Sequence, residues 1–316
     1  MTVRFWNWLR AALFVLPLAV SAAHALPVAK KSLAIKNKDI EASILYPQTG
    51  NKAIDGVITR YVWDTMATFK GYTKDKQADE NAYTLDVSYT VERNDGRMFG
   101  VVFSEGTFTG GAHPNSNTVT FNFLLPDGAQ VFLPEIVDGQ RGIVRISALT
   151  RADLDKRIGT GTDAASDPDT IATGTTPLAN NFEAFIWLPD RVHIYFPAYQ
   201  VASYAAGPQE SFVPLGALKS VIRSDWRAPQ ASFDCHKAGS PIEHAVCADA
   251  ALARLDRQVA EAYQMKLRNA YEDKEKVAVR QAQRDWLALR DKECGAVAAC
   301  LTKAYRDRLT VLTAVQ

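Results

Sequence analysis

Cysteine is absent from the first 234 residues of this chain. The chain's four cysteines lie in the remaining part, at Cys235, Cys247, Cys294 and Cys300. Because one part of the chain uses cysteine and the other does not, the sequence predicts two chemically different modules joined in one polypeptide.

Long apolar runs are also scarce. The run Ala11–Ala22 is well short of the roughly 20 residues that a transmembrane helix needs. Arg4 and Arg10 precede it and Ala23-His24-Ala25 follows it, which is the arrangement of a signal peptide with a small-x-small cleavage site. We therefore expect residues 1–25 to be a signal peptide. The mature protein is then periplasmic or secreted and keeps no stable membrane anchor.

An excess of charge of one sign is missing as well. Residues 235–316 carry 14 Lys and Arg against 11 Asp and Glu, and residues 26–234 carry 20 against 24. Neither part has the basic excess that is typical of nucleic-acid-binding domains, so no nucleic-acid partner is expected. The acidic part could attract a basic partner, although such a small excess is also common on solvated surfaces.

Catalytic and metal-binding motifs are not found. The chain has no G-x-S-x-G nucleophile motif and no H-E-x-x-H metal motif, and no pair of carboxylates stands out as in a glycosidase. Irregular spacing and an oxidising compartment favour disulfides over a zinc site at Cys235, His236, His244 and Cys247. We expect a protein that binds a partner without catalysis and needs no cofactor or metal.

Residues 26–223 have the pattern of an α+β domain with an antiparallel sheet and packed helices. Helical spacing runs from Ile54 to Thr65 and from Gly142 to Arg157, and Gly159–Pro177 has the composition of a loop that a short helical turn could interrupt. β-Branched and aromatic residues predict strands at Asp39–Tyr46, Tyr83–Val91, Met98–Phe108, Thr118–Leu125, Phe182–Leu188, Val192–Phe196 and Ser211–Pro214.

Residues 232–316 have the pattern of a small helical domain, separated from the first by a linker at 224–231. Ser240-Pro241-Ile242-Glu243 has the form of a capping box, and three apolar stripes predict three helices. Such a small core benefits from covalent cross-links. Three pairings of four cysteines are possible; because both loops are short, we favour Cys235 with Cys247 and Cys294 with Cys300.

Two motifs in the first module resemble an exported domain family. They are the stretch Gly106–His113, followed by Phe121-Asn122-Phe123 and a Pro126-Asp127-Gly128 turn, and the stretch Ile194–Pro208. This pattern is similar to the domain of the RsiV anti-sigma factor and to the domain that accompanies a peptidoglycan deacetylase. Since RsiV is a lysozyme receptor, the resemblance implies a domain able to bind such an enzyme.

The same motifs supply the candidate partner-binding residues Gly110, Gly111, His113, Tyr199 and Tyr204. The glycines permit positive φ or close approach of another chain. His113 has a structural alternative, a bond to backbone, and the two tyrosines could instead fill the core.

The second module resembles the LprI-type lysozyme inhibitor domain. The resemblance rests on Phe233-Asp234-Cys235, Ala245–Asp249, Leu252–Asp256, Gln283–Cys294 and Cys300-Leu301 with Tyr305 and Arg308. It implies inhibition of a lysozyme. From the residues alone, we expect Trp286 to be a core residue and Arg290 and Asp291 to form salt bridges that fix the helices.

Both resemblances lead to one hypothesis, that this chain binds lysozyme or another cell-wall lytic (muralytic) enzyme and occludes its cleft. The alternative is an envelope sensor or adaptor that binds peptidoglycan or an envelope protein without inhibition.

Overall fold

The computed structural model describes residues 24–76, 81–159, 168–227, 231–270 and 272–313. The predicted signal peptide falls outside these residues except for its last two positions, as do positions 160–167 of the predicted loop Gly159–Pro177. None of the helices in these ranges combines the length and the apolar character that a membrane span requires.

The fold class predicted from the sequence is confirmed. The described residues form one sheet of six strands in chain order and a second sheet of three, followed by helices. The strands of the large sheet are β1 (Ala29–Lys36), β2 (Ile40–Gln48), β3 (Tyr83–Asn94), β4 (Met98–Phe108), β5 (Asn115–Leu124) and β6 (Ala129–Gln130). Its pairs are antiparallel except β2–β3, which is parallel, because a helical crossover joins these two strands.

That crossover contains helix α1 (Lys52–Tyr72), which buries Ile54, Ile58 and Phe69 against the large sheet. Asn51 caps the helix by accepting hydrogen bonds from the backbone N–H groups of the two residues at positions 53 and 54. Its Nδ2 group also donates to the carbonyl of Pro126 over 2.8 Å. The start of α1 is therefore fixed to the β5–β6 turn.

The three-stranded sheet and its helices form a second core. Its elements are α2 (Leu133–Ile136), α3 (Gly139–Ile158), α4 (Pro168–Gly174), β7 (Phe185–Trp187), β8 (Arg191–Phe196), β9 (Gln209–Pro214) and α5 (Leu215–Leu218). The strand predicted at Phe182–Leu188 is shorter in the structure, because a 3₁₀ turn occupies Ala179–Phe182.

Asn122 joins the two sheets. Its Nδ2 donates to the carbonyl of Phe185 over 2.8 Å, and its Oδ1 accepts from the N–H of Trp187 over 2.9 Å. The side chain is almost fully buried and satisfies backbone groups on β7 that have no strand partner on this side. Asn122 of the Phe121-Asn122-Phe123 motif therefore has a structural role.

The second module is helical, with α6 (Pro241–Ala248), α7 (Ala250–Asn269), α8 (Asp273–Cys294) and α9 (Ala298–Thr313). The prediction of three helices was wrong, because Asp249 starts a new helix where one continuous stripe was expected. Its carboxylate accepts hydrogen bonds from the N–H groups of Ala251 and Leu252. This N-cap separates the short α6 from the long α7.

Two disulfides cross-link this module, Cys235–Cys247 and Cys294–Cys300. Each bond joins two cysteines that have no other cysteine between them in the sequence. The first ties the 3₁₀ turn Cys235–Lys237 to α6. The second links the end of α8 to the first turn of α9.

The two modules touch along α7 and α9, in a contact that we call the joint. Gln258 of α7 donates to the carbonyl of Gln130 in β6. Arg60 of α1 donates to Thr310 Oγ1 of α9 over 2.7 Å, and Arg254 lies 3.9 Å from Asp127. The linker boundary at 224–231 stays a prediction. Of its described residues, Trp226 packs partly buried on the second core and Ala231 is buried.

Candidate partner-binding surface

The loop between β4 and β5, residues 109–114, carries three of the predicted binding residues. Gly110 and Gly111 have φ values of 89° and 92°, a region that other residues adopt at a cost. A Cβ built on Gly111 would meet no atom within 4 Å. Backbone conformation, and not lack of space, therefore calls for glycine at Gly111.

The segment after β8 presents Tyr199 to solvent. Tyr199 is the one residue other than glycine with positive φ in the described part of the chain, at 73°. Its relative exposure is 64%. A bulky residue with positive φ is uncommon and costs on the order of 1–2 kcal/mol, so the surrounding structure must hold it in place.

The residues that follow Tyr199 provide this support. Gln200 Nε2 donates to the carbonyls of Gly174 and Asn181 over 3.0 and 3.1 Å, and Val201 is fully buried. A Cβ on Gly174 would lie 1.9 Å from the Gln200 carbonyl oxygen, so glycine lets α4 end against this segment. With Gln200 and Val201 fixed inward, the Tyr199 side chain points outward.

Three aromatic rings from these two segments form a row, which we call the aromatic ladder: His113, Tyr204 and Tyr199. The His113 and Tyr204 rings stack with centroids 3.9 Å apart, and the Tyr204 and Tyr199 centroids are 5.5 Å apart. Tyr204 donates its hydroxyl hydrogen to the Pro114 carbonyl over 2.8 Å, and His113 Nδ1 donates to the same oxygen over 3.2 Å.

The structure thus brings together residues that lie about ninety positions apart. His113 does bond to backbone, as the structural alternative predicted, yet its ring is exposed. Tyr204 is half-buried and Tyr199 is exposed, so neither fills the core. The ladder offers a partly rigid aromatic surface, which suits recognition because few side-chain torsions need to be ordered on binding.

An acid–base cluster that the sequence analysis missed lies between the two sheets. His193 has its Nδ1 3.0 Å from Glu92 Oε2 and its Nε2 2.9 Å from Glu210 Oε2. Tyr195 donates to the other Glu92 oxygen, and its burial and this carboxylate raise the pKa of Tyr195. Both imidazole nitrogens face carboxylates, so the contacts of His193 join β3, β8 and β9.

The alternation of side chains between the two faces of β8 was the signal in the sequence that could have located His193 and Tyr195. In β8, Val192, Ile194 and Phe196 face one core, so the intervening positions must face the large sheet. The identity of the partners Glu92 and Glu210 depends on the packing of the two sheets and could not be seen in the sequence. Among the described residues, no group of three His, Cys, Asp or Glu is placed to hold a metal.

The motif residues of the helical module form a connected network. Arg290 donates to the Tyr305 hydroxyl over 2.7 Å, and Tyr305 donates to Asp256 over 2.8 Å. Arg290 also forms an ion pair with Asp291 at 2.6 Å. Burial, together with the Asp256 carboxylate, raises the pKa of Tyr305. The network ties α7, α8 and α9 together.

Trp286 lies within this network. Its ring packs edge-on against Tyr305 with centroids 5.6 Å apart. The guanidinium groups of Arg290 and Arg308 lie 5.3 and 5.6 Å from its centre. Trp286 packs against the core, partly buried, as expected. The predicted salt bridge between helices was wrong, because Arg290 pairs with Asp291 within α8 and the helices are joined by hydrogen bonds instead. The exposed surface of α8 instead presents Val277 and Leu289.

The ladder and the part of the joint at Asp127 and Gln130 lie at opposite ends of β5. The ladder adjoins the residue before Asn115, where β5 begins, whereas the joint adjoins the turn after Leu124, where it ends. A strand of this length spans roughly 30 Å. With the helical module present, His113 and Tyr199 of the ladder are exposed.

Three family models match this chain. Residues 235–312 match "Lysozyme inhibitor LprI", residues 21–116 match "Deacetylase PdaC", and residues 136–216 match "Protein of unknown function (DUF3298)". These matches confirm the resemblances of both modules. The likeness to RsiV itself stays a prediction.

One curated relative is the peptidoglycan-N-acetylmuramic acid deacetylase PdaC of Bacillus subtilis, 25% identical over 192 residues. The match covers 60% of this chain but only 40% of the relative. This chain therefore spans less than half the length of that enzyme.

Two solved structures of DUF3298 family proteins are similar to this chain. The protein from Bacteroides fragilis has a TM-score of 0.46 and 17% identity, and covers 64% of this chain and 96% of its own. The protein from Pseudomonas aeruginosa has a TM-score of 0.49 and 15% identity, and covers 63% of this chain and 96% of its own.

Proposed function

We propose that this protein is exported to the periplasm and binds a lysozyme or a related cell-wall lytic enzyme, with the aromatic ladder as its contact surface. The observation that carries the proposal is Tyr199, an exposed ring held on a backbone conformation that tyrosine disfavours. Strain of this kind is retained where the surrounding fold enforces it, often at ligand-binding sites. The match of residues 235–312 to a lysozyme inhibitor model gives independent support for the class of partner.

The mechanism we propose is occlusion of the substrate cleft. The Gly110-Gly111 turn is narrow because it carries no side chains, and the ladder stands beside it. A narrow turn can enter a cleft, while the adjacent rings bury apolar area around it. The acidic excess of the first module favours a basic partner and would speed their encounter.

Binding without turnover is part of the proposal. His113, the histidine of the ladder, donates to a backbone carbonyl and, among the residues that the structure describes, pairs with no carboxylate. His193 is buried, and both of its imidazole nitrogens face carboxylates. These contacts favour a binding protein over a hydrolase.

The proposal is tested by titrating the mature protein with a panel of lysozymes and lytic transglycosylases by calorimetry, alongside a cell-wall lysis assay. We expect saturable binding to at least one enzyme and a matching loss of its lytic activity. Tyr204→Ala should weaken binding at least tenfold. Tyr72→Ala, which removes an exposed tyrosine from the end of α1, is the control and should leave affinity unchanged.

A second candidate is an envelope sensor or adaptor. The relative that shares the first module is named for a peptidoglycan substrate, and exposed aromatic rings can also stack on sugars. Binding to a lytic enzyme without loss of lysis would favour the sensor. Retention on insoluble peptidoglycan, with no enzyme of the panel bound, would replace the proposed function with peptidoglycan recognition.

A further inference from the structure

Leu26 interrupts an exposed segment at the start of the α+β module. From position 24 to position 32 every residue is exposed except Leu26, whose side chain packs partly buried on the core of the large sheet. The two residues directly before it, His24 and Ala25, are exposed. Among the described residues, packing of the chain on this core therefore begins at Leu26.

Asn94, the last residue of β3, holds the backbone of Leu26 by two hydrogen bonds. Its Oδ1 atom accepts a hydrogen bond from the Leu26 nitrogen over 2.7 Å, and its Nδ2 group donates to the Leu26 carbonyl over 2.8 Å. The two residues are 68 positions apart in the sequence. We call this pair of bonds the terminal clamp.

The terminal clamp fixes the start of β1. This strand lies at the edge of the large sheet, beside β2, and its first four residues are exposed. An edge strand with so little buried surface opens easily, and terminal segments stay poorly ordered unless they are tied down. Asn94 therefore holds β1 at the end where the strand buries no side chain.

The predicted signal peptidase site lies directly before the clamped residue. Hydrolysis of the Ala25–Leu26 peptide bond consumes one water and leaves a carboxylate on Ala25 and an amine on Leu26. The amine takes up the proton that the new carboxyl group releases and becomes an ammonium. Its nitrogen is the atom that Asn94 Oδ1 contacts. Because hydrogen bonds from charged donors are roughly twice as strong as those between neutral groups, cleavage strengthens the clamp.

We propose that Asn94 is the binding site for the amino terminus that cleavage creates at Leu26. An ammonium group has N–H donors and no acceptor, which suits the Oδ1 atom of Asn94, while Nδ2 binds the first carbonyl of the chain. The core of the large sheet receives the apolar Leu26 side chain. This inference rests on the proposed export, but not on the aromatic ladder or on the identity of a partner.

The first measurement is the intact mass of the protein recovered from the envelope of a bacterial host. We expect a chain that begins at Leu26. A chain that keeps residues 1–25, or one that begins at another residue, would overturn the proposal. Binding of a lytic enzyme is measured separately by calorimetry, so this outcome does not decide whether the ladder is a contact surface.

Variants of Asn94 test the clamp in a purified chain that begins at Leu26. Asn94→Ala removes both hydrogen bonds, so hydrogen exchange of the β1 amides that pair with β2 should become roughly tenfold faster, with exchange in the helical module unchanged. Asn81→Ala, at an exposed asparagine before β3, is the control and should leave exchange in β1 as in wild type. Equal exchange in Asn94→Ala and wild type would contradict the clamp.

A second comparison tests whether the clamp recognises the charge of the terminus. Asn94→Asp keeps an acceptor for the Leu26 nitrogen and adds a negative charge. In the chain that begins at Leu26, exchange in β1 should therefore be severalfold slower in Asn94→Asp than in Asn94→Ala. This difference should shrink when His24 and Ala25 precede Leu26, because the nitrogen is then an uncharged amide. The same difference in both chains would overturn the assignment of Asn94 as an ammonium site.

Discussion

At the scale of single residues, Tyr199 links local strain to the proposed binding. Its φ of 73° is unfavourable for any side chain with a Cβ, and Gln200 and Val201 hold the chain in that conformation. The energetic cost at Tyr199 comes from its backbone conformation, whereas the proposed binding role belongs to its ring. Substitutions can therefore separate the effect on stability from the effect on binding.

We predict that Tyr199→Gly is more stable than Tyr199→Ala by about 1 kcal/mol. Both variants remove the ring, but only glycine relieves the positive φ. Urea unfolding of the two proteins measures the difference directly. Equal free energies of unfolding would mean that the positive φ stores no strain.

The buried carboxyl group of Glu135 makes the stability of the protein depend on pH. It lies buried at α2, where it accepts a hydrogen bond from the Phe132 N–H over 2.8 Å. Burial raises the pKa of Glu135 from 4.5 to about 7, although Arg254 and Arg257 of α7 oppose the shift and Glu261 adds to it. The folded protein therefore holds this proton more tightly than the unfolded chain does.

A raised carboxyl pKa stabilises the fold at low pH. This contribution is complete below about pH 4.5 and is lost as the pH rises through about 7, a change of up to about 3 kcal/mol. Glu135→Gln, which keeps an acceptor for the Phe132 N–H, should flatten the dependence of the unfolding free energy on pH. Urea titrations between pH 5 and pH 8 test this, with the exposed substitution Glu41→Gln as the control. An equally steep profile in Glu135→Gln would contradict the assignment.

At the scale of elements, periodic patterns predicted the structure well where one face is buried. The helix at Gly142–Arg157 corresponds to α3, and the strand at Met98–Phe108 corresponds to β4. β1 was missed because it is an exposed edge strand rich in lysine, a composition that protects edges from pairing but hides the strand pattern. The parallel pairing of β2 and β3 follows from the path of α1 and is not encoded locally.

The disulfides act at this scale, because each joins two neighbouring elements. The loops they close span 12 and 6 residues, and each bond should stabilise the helical module by roughly 2–3 kcal/mol. Reduction should lower the melting temperature of that module and leave the α+β module, which has no cysteine, nearly unchanged. Calorimetry with and without reductant measures both. Free thiols at all four positions in protein from the periplasm would refute the assignment.

At the scale of the whole molecule, the sequence named His113, Tyr199 and Tyr204 as candidates but could not show that their rings form a row. His113 and Tyr204 come from two distant motifs, and their stacking depends on how the β4–β5 loop meets the segment after β8. Tertiary contacts of this kind leave no local signal. The same holds for the joint, where Gln258 meets β6.

The uneven charge of the two modules predicts a salt dependence. If the acidic α+β module carries the ladder contact, association with a basic enzyme should slow severalfold as ionic strength rises from about 0.05 M to about 0.3 M, because exposed charges are then screened over shorter distances. Dissociation should change less, since the rings contribute through burial. Stopped-flow kinetics of the intact protein measures both rates. An association rate that does not respond to salt would exclude electrostatic attraction.

The most direct test of the central claim is the dissociation constant of Tyr199→Gly for a lytic enzyme that the wild-type protein binds. This variant removes the exposed ring while relieving backbone strain, so a loss of binding cannot be attributed to a weakened fold. The account predicts an affinity at least tenfold weaker than that of the wild type. An unchanged dissociation constant would show that the ladder is not the contact surface.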